Sequence, residues 1–155
     1  LKTLQPSILM SEDHFFVTKD PLEHAHYLTL VTAPEYGAVA SFLGTVRSPN
    51  LGENVEYIDY EGYESMMYSQ MKIIAETLRK TLDLGHLVLA HRLGKMVPGE
   101  ASIAIVASSK HRKEALLACQ QGLELCKERL PVWKHEATAS GETWVKGVAT
   151  AGKTL

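Results

Sequence analysis

Two lysines seven residues apart, Lys127 and Lys134, flank Pro131-Val132-Trp133 and are the side chains best spaced for chemistry in this 155-residue chain. Lys127 falls in the last turn of an expected helix and Lys134 on the strand that follows, with Pro131 fixing the bend between them. Two ammonium groups brought close in a shielded pocket lower one another's pKa. A lysine tuned in this way can act as an acid, a base or a nucleophile. Both also have a plainer explanation. A cation in the last helical turn is favoured by the helix dipole, and a lysine on a strand can simply face water. Alternation sets Lys134 opposite Trp133, so an indole in the core turns the lysine outward or into a groove.

Three more basic residues stand where anions are commonly held. Arg47 ends an apolar strand and opens a loop containing proline and glycine, a frequent place for a binding residue. His111 and Arg112 open the long helix that ends near Lys127, where the positive end of the dipole reinforces an arginine as an anion site. The competing explanation for Arg112 is a stem covering apolar surface, since it shares a face with Leu116, Cys119 and Leu123.

Other patterns fall away. Gly147 to Thr154 (GVATAGKT) fits the phosphate-loop pattern letter for letter, yet only Leu155 follows where that loop requires a helix. His24 and His26 diverge on a helix, and no cysteine or carboxylate shows zinc-type spacing, so no metal site is expected. Cys119 and Cys126 lie two helical turns apart, about 10 Å, which is too far for a disulfide. They read as small core residues. No nucleophile elbow and no glycine-rich dinucleotide fingerprint occurs.

The elements that must position these residues follow from periodicity. Asp20-Pro21 opens a short helix running to about Val31, and Gly37 to Val46 is a buried strand. Arg47 to Asn54 is a turn-rich loop, followed by a strand over Val55 to Tyr60. Met67, Met71, Ile74 and Leu78 mark a helix from Glu64 to Asp83, with Gly85 as its stop. His86 to Leu93 and Ala101 to Ser108 are strands, and the segment from Gly94 to Glu100 holds a turn with room for a short strand. A long helix over Lys110 to Arg129 carries Leu116, Cys119, Leu123, Cys126 and Leu130 on one stripe. Strands over Val132 to Thr138 and Thr143 to Lys146 close the chain as a hairpin. This order favours an α+β sheet with its helices on one face.

An apolar fraction of 45% and a net charge of -2 describe one ordinary globular domain, with no electrostatic reason to bind nucleic acid or an anionic membrane. No apolar run approaches the roughly 20 residues of a membrane span, and the first residues lack a signal-peptide pattern, so a cytoplasmic location is expected. Residues 1–13 read as a flexible lead-in, 14–146 as the domain and 147–155 as a flexible tail.

Six segments in order resemble the large subunit of molybdopterin synthase: Gly44-Thr45-Val46-Arg47, Tyr60-Glu61-Gly62-Tyr63 with Met66-Met67, His91-Arg92-Leu93-Gly94, Pro98-Gly99-Glu100, Ser108-Ser109-Lys110-His111-Arg112, and Pro131-Val132-Trp133-Lys134-His135-Glu136. The resemblance covers about Gly37 to Trp144, and only Val132 and His135 depart within the tryptophan motif. It implies an α/β-hammerhead fold of the α+β class, mainly antiparallel, with two long helices and one short N-terminal helix. It also implies an enzyme that converts precursor Z, a cyclic pyranopterin monophosphate, into molybdopterin by inserting dithiolene sulfurs. The sulfur is brought by a small ubiquitin-like partner as a C-terminal Gly-Gly thiocarboxylate, within a heterotetramer built on a large-subunit homodimer, and no cofactor is implied. By position, Lys127 and Lys134 take the catalytic roles. Thr45, Val46, Arg47, His111, Arg112, Lys134, His135 and Glu136 take the substrate-binding ones.

Helix geometry adds a constraint. Arg112 and Lys127 are fifteen residues apart on one helix, about 22 Å at 1.5 Å per residue. That is too far for both to grip one small pterin, so His111 and Arg112 are expected to enter the pocket of a second subunit. Two other readings compete. One is a non-catalytic module that docks an acidic tail in the same basic groove; the other is a nucleotide-binding protein using the C-terminal loop pattern.

Overall fold

The structure, a computed structural model, describes residues 10–146. The loop pattern at Gly147 to Thr154, most of the expected lead-in and the expected tail lie outside the described residues.

Two four-stranded sheets form the frame. The first comprises β1 (Asp13–Thr18), β4 (Leu87–Arg92), β6 (Ala101–Ser109) and β2 (Ala38–Thr45), in that spatial order. The second comprises β5 (Gly94–Met96), β3 (Val55–Gly62), β7 (Val132–Thr138) and β8 (Gly141–Lys146). All pairings are antiparallel except β1 with β4. Three helices complete the fold: α1 (His24–Val31), α2 (Glu64–Arg79) and α3 (Arg112–Arg129). This is the α+β class expected, with two long helices and one short one.

The helices do not share one face. Along β4 and β6 both sets of alternating side chains are buried, so the central strands need cover on two sides. Val88, Ala90, Ala104 and Val106 meet Tyr27 and Val31 of α1. Leu87, Leu89, Ile105 and Ala107 share the main core with Met67, Met71, Ile74 and Leu78 of α2 and with Ala118, Cys119 and Cys126 of α3. Small residues let α3 lie close to the sheet. A Cβ on Gly122 would sit 3.4 Å from Ile105 Cγ2 and 3.5 Å from Leu78 Cδ1, ordinary van der Waals distances, so the gap beside this glycine is about one methyl deep.

Several boundaries differ from the sequence reading for identifiable reasons. β1 had no counterpart there. Asp20 does not cap a helix; its N–H donates to Thr18 Oγ1 in the bend that ends β1, and α1 starts only at His24. α2 ends at Arg79 rather than Asp83: beyond it the Lys80 and Thr81 N–H groups donate three residues back, to Thr77 and Leu78, and the Arg79 guanidinium binds Asp13 and the carbonyls of Leu84 and Gly85. Gly85 is therefore no helix stop but a tight contact, where a Cβ would come within 2.6 Å of Ser108 Oγ and the Tyr36 ring. α3 begins at Arg112 with His111 as its N-cap. Its buried stripe is Ala115, Ala118, Cys119, Gly122 and Cys126, whereas Leu116 is 59% exposed and Arg112 also faces solvent.

Candidate active site

The antiparallel pairing of β3 with β7 sets Tyr60 opposite Lys134 and Ile58 opposite Glu136. Directly paired residues share a face, and so do residues two apart on one strand. These four side chains consequently line one wall of a cavity. The end of β2 and the loop beyond it add Thr45, Val46, Arg47 and Asn50, and the last turn of α3 adds Lys127. Val46 is held by Glu100 and Gly99: its N–H donates to the Glu100 carbonyl and its own carbonyl accepts from the Gly99 N–H. The cavity holds about 290 Å³, the lower end of the size of small-molecule sites.

Its charge is three cations, Arg47, Lys127 and Lys134, against one carboxylate, Glu136. Glu136 is 8% exposed. The Asn50 side-chain amide donates to Glu136 Oε1 at 3.0 Å and accepts from Arg47 Nη2 at 3.3 Å. Asn50 thereby ties the exposed arginine to the buried acid. Burial raises the Tyr60 phenol above its ordinary range, opposed by a hydrogen bond from Ser102 and reinforced by the Glu136 charge, so Tyr60 stays a neutral hydroxyl. A pocket with two net positive charges, an arginine and two lysines suits a phosphate-bearing substrate and a negatively charged reacting group. Among the described residues, no group of three His, Cys, Asp or Glu side chains could hold a metal ion.

Thr45, Val46, Arg47, Lys127, Lys134 and Glu136 thus meet in one place, with Lys127 and Lys134 both on the lining. His135 does not join them. Alternation turns it to the opposite face of the sheet, where its ring stacks on Trp144 at 4.7 Å and its Nε2 lies 3.1 Å from Glu142. His111 and Arg112 stand exposed at the far end of the 18-residue α3, outside this chain's own pocket. Asn50, Ile58 and Tyr60 are lining residues to which the sequence reading gave no role. The alternation of β3 puts Ile58 and Tyr60 on one face, but their place on the pocket follows only from the pairing with β7.

A family model described as MoaE protein matches residues 17–129. The chain belongs to the MoaE family. The molybdopterin synthase catalytic subunit of Pyrococcus abyssi is 38% identical over 120 residues, covering 77% of this chain and 81% of the relative. That of Bacillus subtilis is 32% identical over 133 residues, covering 86% and 85%. The catalytic subunit of Drosophila melanogaster is 42% identical over 125 residues, but the chain spans 34% of its length. Among solved structures, molybdopterin synthase from Staphylococcus aureus aligns with a TM-score of 0.80 and 30% identity, over 84% of this chain and 96% of that one. A complex of subunits 1 and 2 of the molybdopterin-converting factor from Helicobacter pylori has a TM-score of 0.68 at 22% identity, a likeness of fold. Relatives in this family carry the name molybdopterin synthase catalytic subunit, so the chain belongs to an enzyme family of cofactor biosynthesis. No helix among the described residues is long and apolar enough to cross a membrane.

Proposed function

We propose that this chain is the sulfur-inserting large subunit of a molybdopterin synthase, acting on precursor Z with sulfur from a thiocarboxylated small partner. The observation that carries the reading is the meeting of Arg47, Lys127 and Lys134 around one cavity with Glu136 buried in its wall. Arg47, with its planar fork of donors, grips the cyclic phosphate. The partner's C-terminal tail threads into the pocket and presents its thiocarboxylate sulfur beside the pterin. The two lysines stabilise the negative charge that develops as the sulfur attacks, and they hand over protons. Neither Cys119 nor Cys126 is needed as a sulfur carrier. Burial pushes their thiols up to about 11 and about 12, leaving them protonated and unreactive at neutral pH.

The site is completed by a second copy of the chain, whose His111 and Arg112 reach the pocket that their own chain cannot. Two features support a pairing surface at that end of the molecule. β2 is an edge strand of its sheet and exposes Val39 and Leu43, and Leu116 lies exposed one turn beyond Arg112 on α3. An exposed apolar edge of this kind invites a partner. One small subunit at each end of the dimer makes a heterotetramer.

The reading is tested by incubating precursor Z and the wild-type chain with the small partner in thiocarboxylate form, and in parallel with its ordinary carboxylate form. Mass spectrometry should find the dithiolene product in the first reaction and none in the second. Absence of product in both, with the partner bound, would contradict it.

A further inference from the structure

Behind the basic pocket lies a second, smaller chamber of about 60 Å³, lined by Tyr60, His91, Ser102, Cys126, Lys127 and apolar walls from Ile103, Leu130 and Val132. Tyr60 and Lys127 line both spaces, so the chamber adjoins the pocket through those two side chains. Its volume accommodates water, which needs only about 10–15 Å³ of such space and two to four polar partners.

His91 has a defined orientation. Its ring lies edge-on to Tyr60 with centroids 5.4 Å apart, and its Nδ1 sits 2.8 Å from the Arg92 carbonyl oxygen. A carbonyl can only accept, so Nδ1 carries the proton and Nε2 is a bare acceptor. Burial holds the imidazole at about 4, well below its ordinary range, so the ring is neutral near pH 7. Nε2 has no hydrogen-bond partner among the described residues. The other polar residues on the lining are Tyr60, Ser102, Cys126 and Lys127; the Ser102 hydroxyl donates to the Gly44 carbonyl at 3.4 Å, and an ammonium can only donate. Among the side chains lining the chamber, that of His91 is the one whose free atom accepts without donating. A water in the chamber can donate a hydrogen to this nitrogen while its oxygen accepts from Lys127.

We propose that His91 is a positioning residue for Lys127, fixing the lysine's ammonium through water held in the chamber between them. This role rests on the sulfur-insertion reading only for its kinetic consequence; the tautomer and its link to Lys127 are independent of it. Losing the acceptor frees the water and lets Lys127 swing, which weakens the reacting geometry and leaves substrate binding by Arg47 intact.

Two measurements test it. In the precursor Z assay with saturating partner, His91→Phe should lower kcat about tenfold with KM within about twofold, and His91→Gln, which keeps an acceptor, should restore kcat to within about threefold. Unchanged kcat in His91→Phe, or a loss that His91→Gln does not relieve, overturns the proposal. Long-range proton–nitrogen NMR on the wild-type chain should show a protonated Nδ1 and an unprotonated Nε2 whose resonance moves in Lys127→Ala. A protonated Nε2, or a resonance indifferent to Lys127→Ala, equally overturns it. The NMR result stands even if His91→Phe fails to fold. It also stands if the wild-type chain makes no product, which would defeat the functional reading instead.

Discussion

A side chain's surroundings decide its chemistry, and here two histidines of one fold have opposite lives. His135 lies on the outer face of its sheet against Trp144 and Glu142, whereas His91 is enclosed beneath the pocket and pushed to about 4 by burial. An unfolded histidine titrates near 6.5, so the unfolded chain takes up this proton first as pH falls. The contribution is constant above that value, is lost progressively between about 6.5 and 4, and levels off below. The loss amounts to about 3 kcal/mol for a shift of this size. Denaturant titrations from pH 7 to pH 4 should show that slope in the wild-type chain and a shallower one in His91→Gln. Identical slopes would contradict the buried, neutral imidazole. At this scale the sequence offered Lys127 and Lys134 as candidates, because residue type, spacing and the intervening Pro131 are local facts; that both line one pocket follows only from the fold. Asn50 and Tyr60 were not offered, because each matters only through a neighbour distant in sequence: Asn50 through Glu136, Tyr60 through Lys134.

The elements show where periodicity suffices and where it does not. α2 was readable, since Met67, Met71, Ile74 and Leu78 all reach the core. α3 was readable in extent but not in facing. Its buried stripe uses alanine, glycine and cysteine, so the large Leu116 drew the assigned face round to solvent. β1 was missed because Asp13 to Thr18 is a short edge strand with little alternation, in the stretch between the lead-in and Asp20 to which no element was assigned. The close packing of α3 yields a specific expectation. A methyl at Gly122 meets ordinary contact distances, and alanine is favoured over glycine within a helix by about 1 kcal/mol. Gly122→Ala should therefore raise the melting temperature by about 2–4 °C, with activity unchanged. A fall in Tm would mean that α3 sits closer to Ile105 than described.

At the scale of the whole molecule, one chain presents a pocket at one end of α3 and an exposed His111-Arg112 pair at the other. The class of fold was legible from element order, but the division into two sheets and the cover on both faces of the first were not. Those depend on which strands pair, and pairing across long separations leaves no periodic trace in the sequence. The proposed dimer makes the two ends of α3 parts of one site. Chains carrying Arg112→Ala and chains carrying Lys127→Ala should each be inactive alone. Co-expressed, they form hybrid dimers with one intact site, and about a quarter of wild-type activity should return by random pairing. No recovery, with hybrid dimers demonstrated, would place both residues in the same chain's chemistry or Arg112 outside it.

In the proposed reaction Lys127 and Lys134 work as a pair on the reacting atoms. Single-turnover conversion of precursor Z by Lys127→Ala and Lys134→Ala, with partner affinity measured on the same preparations, tests it most directly. Each variant should bind the thiocarboxylated partner within about threefold of wild type and slow conversion by about a hundredfold or more. Wild-type rates in both variants would contradict the account.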